Sequence, residues 1–386
     1  MNPTHIIIHY AEIGLKGKNR KLFEEQLVSN ILKALKGLGV ESVKRTSGRL
    51  LVDLGDVRDL GDVRDRLTRV FGIAHFSPAV QVKADLDEIK KAALEISKTL
   101  EWDTFRVTTK RSQKDFPMTS MEVSRDVGEY VLDNTKDKSV KIKNPDLEIM
   151  VEIVNQFAYV FAEKLPAPGG LPVGSSGTVV SLLSGGIDSP VASWMLMKRG
   201  CEVVFVHFHS VPQTERASVD KVKELAEKLS RWQIKTKIYL VPFLDIQKEI
   251  VKETKGDYRV VLYRRFMYRI AEAVARLENA KALVTGEAVG QVASQTLENI
   301  AAINDAVTIP ILRPLIGMDK NEIIDRAKAI DTYELSIVPH GDCCSLFVPR
   351  HPVTKGRIDV AQVEEEKLNT ENLISSALNR TETLTF

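Results

Sequence analysis

Hydrophobic and polar positions divide the chain into two stretches of different rhythm. Up to about residue 165 the apolar runs are short and change period often. His5-Ile6-Ile7-Ile8-His9-Tyr10 reads as a strand. Between Lys21 and Lys36, apolar Leu22, Phe23, Leu27, Ile31, Leu32 and Leu35 recur at helical spacing, and Gly37 and Gly39 end the pattern. Residues 40–44 and 49–54 form a hairpin around Thr46-Ser47-Gly48. The pentapeptide Gly-Asp-Val-Arg-Asp starts at Gly55 and again at Gly61, at the head of a helix carrying Leu67, Val70 and Phe71. It is too short to be a structural repeat. A strand at 73–78 completes the order β-α-β-β-α-β, which predicts a small ferredoxin-like unit.

The next stretch opens with a strand at 80–82 and a helix from about Asp85 to Leu100. Thr104 to Arg111 alternates and ends in Lys110 and Arg111, a strand with a charged exit. A helix over Ser120 to Asn134, a strand at 140–142, the turn Asn144-Pro145-Asp146 and a hairpin over 147–154 and 156–161 follow. Residues 165–174, rich in proline and glycine, form the clearest linker in the chain. Beyond it strand and helix alternate as in a doubly wound parallel α/β domain. The boundaries expected are 1–75, 76–165, a linker over 166–176, and 177–386.

Composition narrows the class. A chain of 386 residues is too long for one ordinary domain. No apolar run approaches a membrane span, and the N-terminal residues lack a signal peptide's apolar region. Three cysteines, two of them adjacent, do not make a disulfide framework, so a cytoplasmic setting and no membrane partner are expected. The net charge of +2 does not mark a nucleic-acid binder. The first 75 residues, however, hold 13 Lys and Arg against 9 Asp and Glu, a local excess that the whole-chain balance hides.

The most informative stretch is Thr178 to Pro190. A β-branched apolar run breaks into Ser184-Gly185-Gly186-Ile187-Asp188-Ser189, and a helix follows. Strand, glycine turn and helix N-terminus make a nest of backbone N–H groups suited to an anion. No Gly-Lys-Ser/Thr closes it, so it is not a P-loop. It resembles the pyrophosphate-binding loop (PP-loop) of the ATP pyrophosphatases, which cleave ATP between its α and β phosphates. Phe105-Arg106-Val107-Thr108-Thr109-Lys110-Arg111 with the helix after it and Asn144-Pro145-Asp146-Leu147-Glu148-Ile149 resembles a THUMP domain, an RNA-binding module. The N-terminal unit with Leu15-Lys16-Gly17-Lys18-Asn19-Arg20 is similar to the domain that precedes THUMP in the tRNA 4-thiouridine synthetases, the ThiI family. The resemblance covers essentially the whole chain. It implies an α/β and α+β multidomain protein: an N-terminal ferredoxin-like domain, a THUMP domain, and a C-terminal doubly wound PP-loop domain.

That resemblance also implies an activity, ATP-dependent replacement of oxygen by sulfur at position 8 of tRNA, and its site residues. Ser184, Gly185, Gly186, Asp188 and Ser189 would hold ATP phosphates, with Asp188 handling Mg²⁺. Leu182, Leu183, His207, Phe208, Arg264, Gly286 and Gln295 would line the nucleotide pocket. Lys320 would sit near the phosphates and offset charge as pyrophosphate leaves. Arg265 and Arg269, beside Arg264, would face RNA or phosphate. Lys16, Lys18, Arg20, Lys110, Arg111 and Arg125 are candidates for tRNA contact, each alternatively a solvated surface residue.

Cys343 and Cys344 have the wrong spacing for zinc and fit disulfide geometry poorly. A reactive thiol is the better account, and the family pattern assigns it to Cys344, charged with persulfide by a cysteine desulfurase. Cys201, at a strand start, reads as buried and inert. The family further implies a homodimer in which one subunit's RNA-binding domains serve the other's catalytic domain. Some relatives continue into a rhodanese domain. The chain stops at Phe386 in an amphipathic helix with a polar end, so that domain and its resolving cysteine are expected to be absent. A role in supplying sulfur to the thiamine thiazole becomes doubtful with it. The competing readings are another PP-loop RNA thiolase, an adenylating synthetase, or a non-catalytic RNA-binding protein.

Overall fold

A computed structural model describes residues 2–46, 48–112, 116–339, 343 and 346–386. The chain divides into two compact units, Met1–Pro172 and Val173–Phe386.

The first unit is built on one nine-stranded sheet. Its elements are β1 (His5–His9), α1 (Arg20–Ala34), β2 (Ser42–Thr46), β3 (Arg49–Asp53), α2 (Leu60–Leu67), β4 (His75–Lys83), α3 (Leu86–Ser97), β5 (Thr104–Arg111), α4 (Ser120–Asp133), β6 (Ser139–Val140), β7 (Leu147–Val154), β8 (Phe157–Phe161) and β9 (Leu165–Pro166). The sheet order is β2-β3-β1-β4-β8-β7-β5-β6, with β9 pairing to β4. The run β2-β3-β1-β4 is the ferredoxin-like arrangement. Two short 3₁₀ turns, Glu12–Leu15 and Gly17–Asn19, join β1 to α1.

Several local expectations need correction. On α1, Leu27, Ile31 and the following Leu35 are buried, while Leu22 and Leu32 face solvent. The inward stripe repeats at four residues, and Leu22 and Leu32 fall off it. The α2 helix stops at Leu67. Val70 and Phe71 are buried in the turn after it, where Gly72 takes a φ of +101° that disfavours a side chain.

The two strands expected at 73–78 and 80–82 are a single strand, β4. Its first half pairs with β1 (His5↔Ala79 to His9↔His75) and its second with β8 (Val80↔Val160 to Lys83↔Phe157). Pro78 reads in the sequence as a strand ending, because it cannot donate to a ladder. Here Ala79 accepts from the N–H of Thr4 and Gln81 donates to Thr4 Oγ1, so odd positions of β4 face β1. Pro78 therefore turns its missing donor toward the other side, into the gap between the pairing with β9, which reaches Phe76, and the pairing with β8, which starts at Val80. Two cores share this strand: Phe76 belongs to the one under α1 and α2, Val80 to the one under α3 and α4. Across them lies a buried ion cluster. Glu152 on β7 accepts from His9 Nε2 at 3.1 Å and from Arg49, and His75 stacks on His9 at 4.5 Å.

The segment read as a linker is bound to the first unit over much of its length. Leu165 and Pro166 form β9, the N–H of Gly72 donates to the carbonyl of Gly169, that of Gly169 to Ile73, and Leu171 is buried in the core under α1.

The second unit contains β10 (Thr178–Leu182), α5 (Asp188–Lys198), β11 (Glu202–His209), α6 (Arg216–Ser230), β12 (Lys237–Pro242), α7 (Leu244–Glu253), α8 (Arg259–Leu277), β13 (Leu283–Val284), α9 (Leu297–Asn304), β14 (Ile311–Leu312), α10 (Lys320–Ala329), α11 (Tyr333–Ser336), α12 (Ile358–Glu365), α13 (Thr370–Asn379) and β15 (Glu382–Thr385). The sheet order is β14-β13-β10-β11-β12-β15, parallel throughout except for the antiparallel edge strand β15. Strands such as Val203-Val204-Phe205-Val206 are apolar on both faces because helices cover both sides. The chain runs outward from β10 through β11 and β12, then returns to β13 on the other side of β10. That reversal opens a crevice at the carboxyl ends of β10 and β13, where doubly wound sheets bind ligands. The segment from Ile358 is two helices and β15, not one helix with a polar end. β15 completes the sheet by pairing Glu382 to Thr385 with Leu240 to Lys237.

Candidate active site

The PP-loop is held by its own hydroxyls. The N–H of Ser184 donates to Ser189 Oγ at 2.9 Å, the Ser184 and Ser189 hydroxyls lie 3.1 Å apart, and the N–H of Gly186 reaches Ser184 Oγ at 3.3 Å. Beneath it, Ser193 Oγ donates to the carbonyl of Ser189 and contacts Ser181 Oγ, tying α5 to β10. The two loop hydroxyls thus help to close the turn. The helix start supplies the outward N–H groups.

A cavity opens beside this loop. Leu182, Leu183, Ser184, Asp188, Ser189, His207, Phe208, Arg264, Gly286 and Gln295 all line it, together with Val206, Met267, Thr285, Glu287 and Cys343. Gly185 and Gly186 line an adjoining cavity, which shares His207, Phe208 and Cys343 with the first. His207 is buried with Nδ1 2.9 Å from the carbonyl of Leu183, and Phe208 packs edge-on against Phe243. The N–H of Ala288 reaches Gln295 Oε1 at 3.4 Å.

Gly286 is needed for a reason the sequence did not reveal. A Cβ there would lie 2.7 Å from the nitrogen of Ser189 and 2.8 Å from the carbonyl carbon of Asp188. The end of β13 thus packs directly on the first turn of α5, and no side chain fits between them.

Asp188 and Lys320 come together although 132 positions apart: Lys320 Nζ lies 2.6 Å from Asp188 Oδ1, and Gln291 Nε2 donates to Oδ2 at 2.8 Å. Lys320 opens α10, whose start is set by a capping box between Asp319 and Glu322.

Glu287 was not singled out from the sequence. It is buried and accepts from Arg313 Nε at 2.8 Å, Arg264 Nη1 at 3.0 Å, Tyr268 Oη at 2.8 Å and Thr285 Oγ1 at 3.0 Å. Burial alone would raise its pKa, but the charges of Arg264 and Arg313 outweigh burial and hold it below the usual carboxylate range. Arg264 is thereby aimed at the cavity. Its neighbours do something else. Arg265 is 1% exposed and paired with Glu365 at 2.7 Å and Asp305 at 3.1 Å, and Arg269 pairs with the same Glu365 at 2.8 Å. The expectation that these two face RNA or phosphate is corrected: they pin α8 to α12 and to the end of α9.

Three family models match the chain. Residues 5–77 match the ThiI ferredoxin-like domain, 83–163 the THUMP domain, and 174–370, just over half the chain, the thiamine biosynthesis protein ThiI. The chain belongs to the ThiI family. Probable tRNA sulfurtransferases of Brevibacillus brevis and Thermus thermophilus are 47% and 46% identical to it. They cover 99% and 100% of this chain, which in turn covers 96% and 95% of their lengths. A 4-thiouridine synthetase solved in complex with RNA and with bound ATP is 38% identical, with a TM-score of 0.92 over all of both chains. PH1313 from Pyrococcus horikoshii is 28% identical, with a TM-score of 0.67 over 86% of this chain.

In this ThiI chain Cys344 lies outside the described residues. Cys343 is buried, lines both cavities, and its carbonyl accepts from Gln247 Nε2 at 2.8 Å. Cys201 is buried just before β11, and burial pushes its thiol pKa up, as expected of an inert cysteine.

The candidate tRNA-contacting residues fall in two places on the first unit. Lys16, Lys18 and Arg20 occupy the 3₁₀ turns and the start of α1. Lys16 lies 3.6 Å from Glu12 and over the Phe23 ring, and Arg20 bonds Glu24 at 2.8 Å and Tyr10. Lys110 and Arg111 end β5, and Arg125 lies on α4 with its guanidinium 3.3 Å from Asp126. Arg111 donates to the carbonyl of Phe116 at 2.9 Å. Lys18, Lys110 and Arg125 are exposed. Among the described residues no helix is long and apolar enough to cross a membrane, and no cluster of three or more His, Cys, Asp or Glu converges on a metal site.

Proposed function

We infer that this chain is an ATP-dependent tRNA sulfurtransferase that converts uridine at position 8 of tRNA to 4-thiouridine. The observation that carries the reading is the convergence on one cavity of the PP-loop, Cys343 and Asp188, the last paired with Lys320. It agrees with the names of the relatives and with the ATP bound in the RNA complex of similar fold.

The chemistry follows from what these residues can do. The adenine end of ATP would lie among Leu182, Leu183, Phe208, Gly286 and Gln295, with His207 behind them. Its phosphates would meet the N–H groups at the start of α5. O4 of the uridine attacks the α phosphorus, an O–P bond forms, the bond to the β-phosphate oxygen breaks, and pyrophosphate leaves with that electron pair. N3 gives up its proton, and the base becomes an O4-adenylate. Lys320 and Arg264 carry positive charge to where negative charge builds. Of the two carboxylates lining the cavity, Glu287 is saturated by four donors. Asp188 remains the group that would hold Mg²⁺ arriving with the phosphates. Magnesium supplies charge neutralisation on the phosphate oxygens.

Sulfur then replaces the activated oxygen. The terminal sulfur of a Cys344 persulfide, loaded by a cysteine desulfurase, attacks C4. A C–S bond forms and AMP departs with O4. A second thiol, Cys343 or an external one, attacks Sγ of Cys344 and forms a disulfide with it. The S–S bond to the transferred atom breaks, leaving sulfur on the base. The target base must leave its stack to reach the cavity, and the first unit supplies the exposed cations for tRNA phosphates. A homodimer with tRNA shared between subunits is part of the reading, by family resemblance alone.

The test is nucleoside mass spectrometry of tRNA incubated with the protein, ATP, Mg²⁺, cysteine and a desulfurase. 4-Thiouridine is the expected product. A 2-thiolated nucleoside, or tRNA-dependent ATP–pyrophosphate exchange with no thiolated base, would point to another PP-loop enzyme instead.

A further inference from the structure

Lys221 lies outside every role assigned so far, and its surroundings are hard to explain by packing alone. It is on α6 and only 7% exposed. Burying an ammonium is costly unless it is well bonded. Its Nζ donates to the carbonyls of Ser336 at 2.8 Å and Val338 at 2.7 Å, in the segment that leads to the cysteines. Its stem lies on the PP-loop: a Cβ built on Gly185 would sit 3.5, 3.7 and 3.8 Å from Lys221 Cδ, Cε and Nζ. One side chain thus touches both the loop that would activate the base and the segment that carries the thiols. Fully buried Gln247 donates to the carbonyl of Cys343 and is itself held by Ser210. Gly185, Lys221, Val338 and Cys343 all line the second cavity.

We propose that Lys221 is a positioning residue for the sulfur-transfer half of the reaction, setting the distance between the PP-loop and the cysteine segment. This rests on the sulfurtransferase reading above. Adenylation needs the N–H groups of the loop, Asp188 and Lys320, whereas the two carbonyl bonds of Lys221 go to the cysteine segment. Sulfur transfer needs the thiol to reach a carbon held by that loop. A small displacement of a reacting group can cost about 10²-fold in rate.

The experiment compares two rates in Lys221→Met and Lys221→Arg: tRNA-dependent ATP–pyrophosphate exchange, and single-turnover thiolation from protein preloaded with persulfide. Methionine keeps the stem against Gly185 and removes both carbonyl bonds. Exchange should stay within about twofold of wild type while thiolation falls about 10- to 100-fold. Arginine keeps charge and donors but changes the reach, so thiolation should fall by about fivefold relative to exchange and lie above the methionine variant. Equal losses in both rates, or no loss in either, would overturn the proposal. If the methionine variant does not fold, the arginine ratio decides alone. Wild-type protein making no 4-thiouridine at all would instead sink the underlying activity.

Discussion

The candidate RNA-contacting cations of the first unit and the site cations of the second are held in opposite ways. In the first, the candidate RNA-contacting cations sit on a turn, a strand end and a helix surface, exposed or held by nearby surface partners such as Glu12, Glu24 with Tyr10, and Asp126. In the second, cations are built into buried networks: Arg264 and Arg313 on Glu287, Arg265 and Arg269 on Glu365, Lys221 on two carbonyls. A long polyanion is gripped by cations that water can reach, through many weak contacts. A phosphoryl transition state is stabilised by charges already fixed in a water-poor cavity. On the proposed reading, grip falls to the first unit and chemistry to the second, and the variants below are chosen to damage one without the other.

The largest effect expected is from Cys344→Ser, which should cut 4-thiouridine formation by about 10³-fold or more while leaving ATP–pyrophosphate exchange and tRNA binding intact. Cys343→Ser should keep most activity; the opposite pattern would move the nucleophile to Cys343. Next, Asp188→Asn and Lys320→Met should each lower tRNA-dependent exchange by about 10²-fold without changing tRNA affinity in filter binding. A loss of tRNA binding in either would break the division of labour. Gly286→Ala forces its Cβ into the first turn of α5, so it should destabilise the second unit by about 1–3 kcal/mol in denaturant melts and weaken ATP binding.

Acid should act on both units together. Burial, and then the charge of a neighbouring histidine, lowers the pKa of His75 in the first unit and of His209 in the second to about 4 from 6.5. The unfolded chain takes up these protons first, so stability is full above pH 6.5 and falls as the pH drops toward 4. His209→Gln should flatten the pH dependence of melting for the second unit alone. The smallest effect belongs to Lys18→Ala or Lys110→Ala: a few-fold weaker tRNA binding, a salt slope lower by about 1, and unchanged exchange.

Local features were legible in the sequence and long-range ones were not. The PP-loop could be read because strand, glycines and helix are consecutive, and β5 could be placed to the residue by its alternation. Resemblance supplied Arg264, whose neighbours look like an ordinary basic helix, and Lys320, which looks like an ordinary surface lysine at a helix start. Glu287, Arg313, Lys221 and Gln247 were invisible because their partners lie far along the chain and nothing nearby marks them. Pro78 misled for a physical reason: whether a proline ends a strand depends on which neighbour its nitrogen faces. Arg265 and Arg269 misled likewise, since their acidic partners on α9 and α12 are 40 to 100 residues away.

β4 has a mechanical consequence. A strand of nine residues runs about 30 Å at the usual rise, and here it passes from one core into the other without a joint. A hinge would let the two halves of the first unit search for their partner separately and lose that freedom on contact. The shared strand removes the freedom in advance, during folding. The turn that carries Lys18 follows β1 and the strand end that carries Lys110 lies on β5, so both hang from one continuous sheet, and bending between them would break the pairing of β4 with β1 or β8.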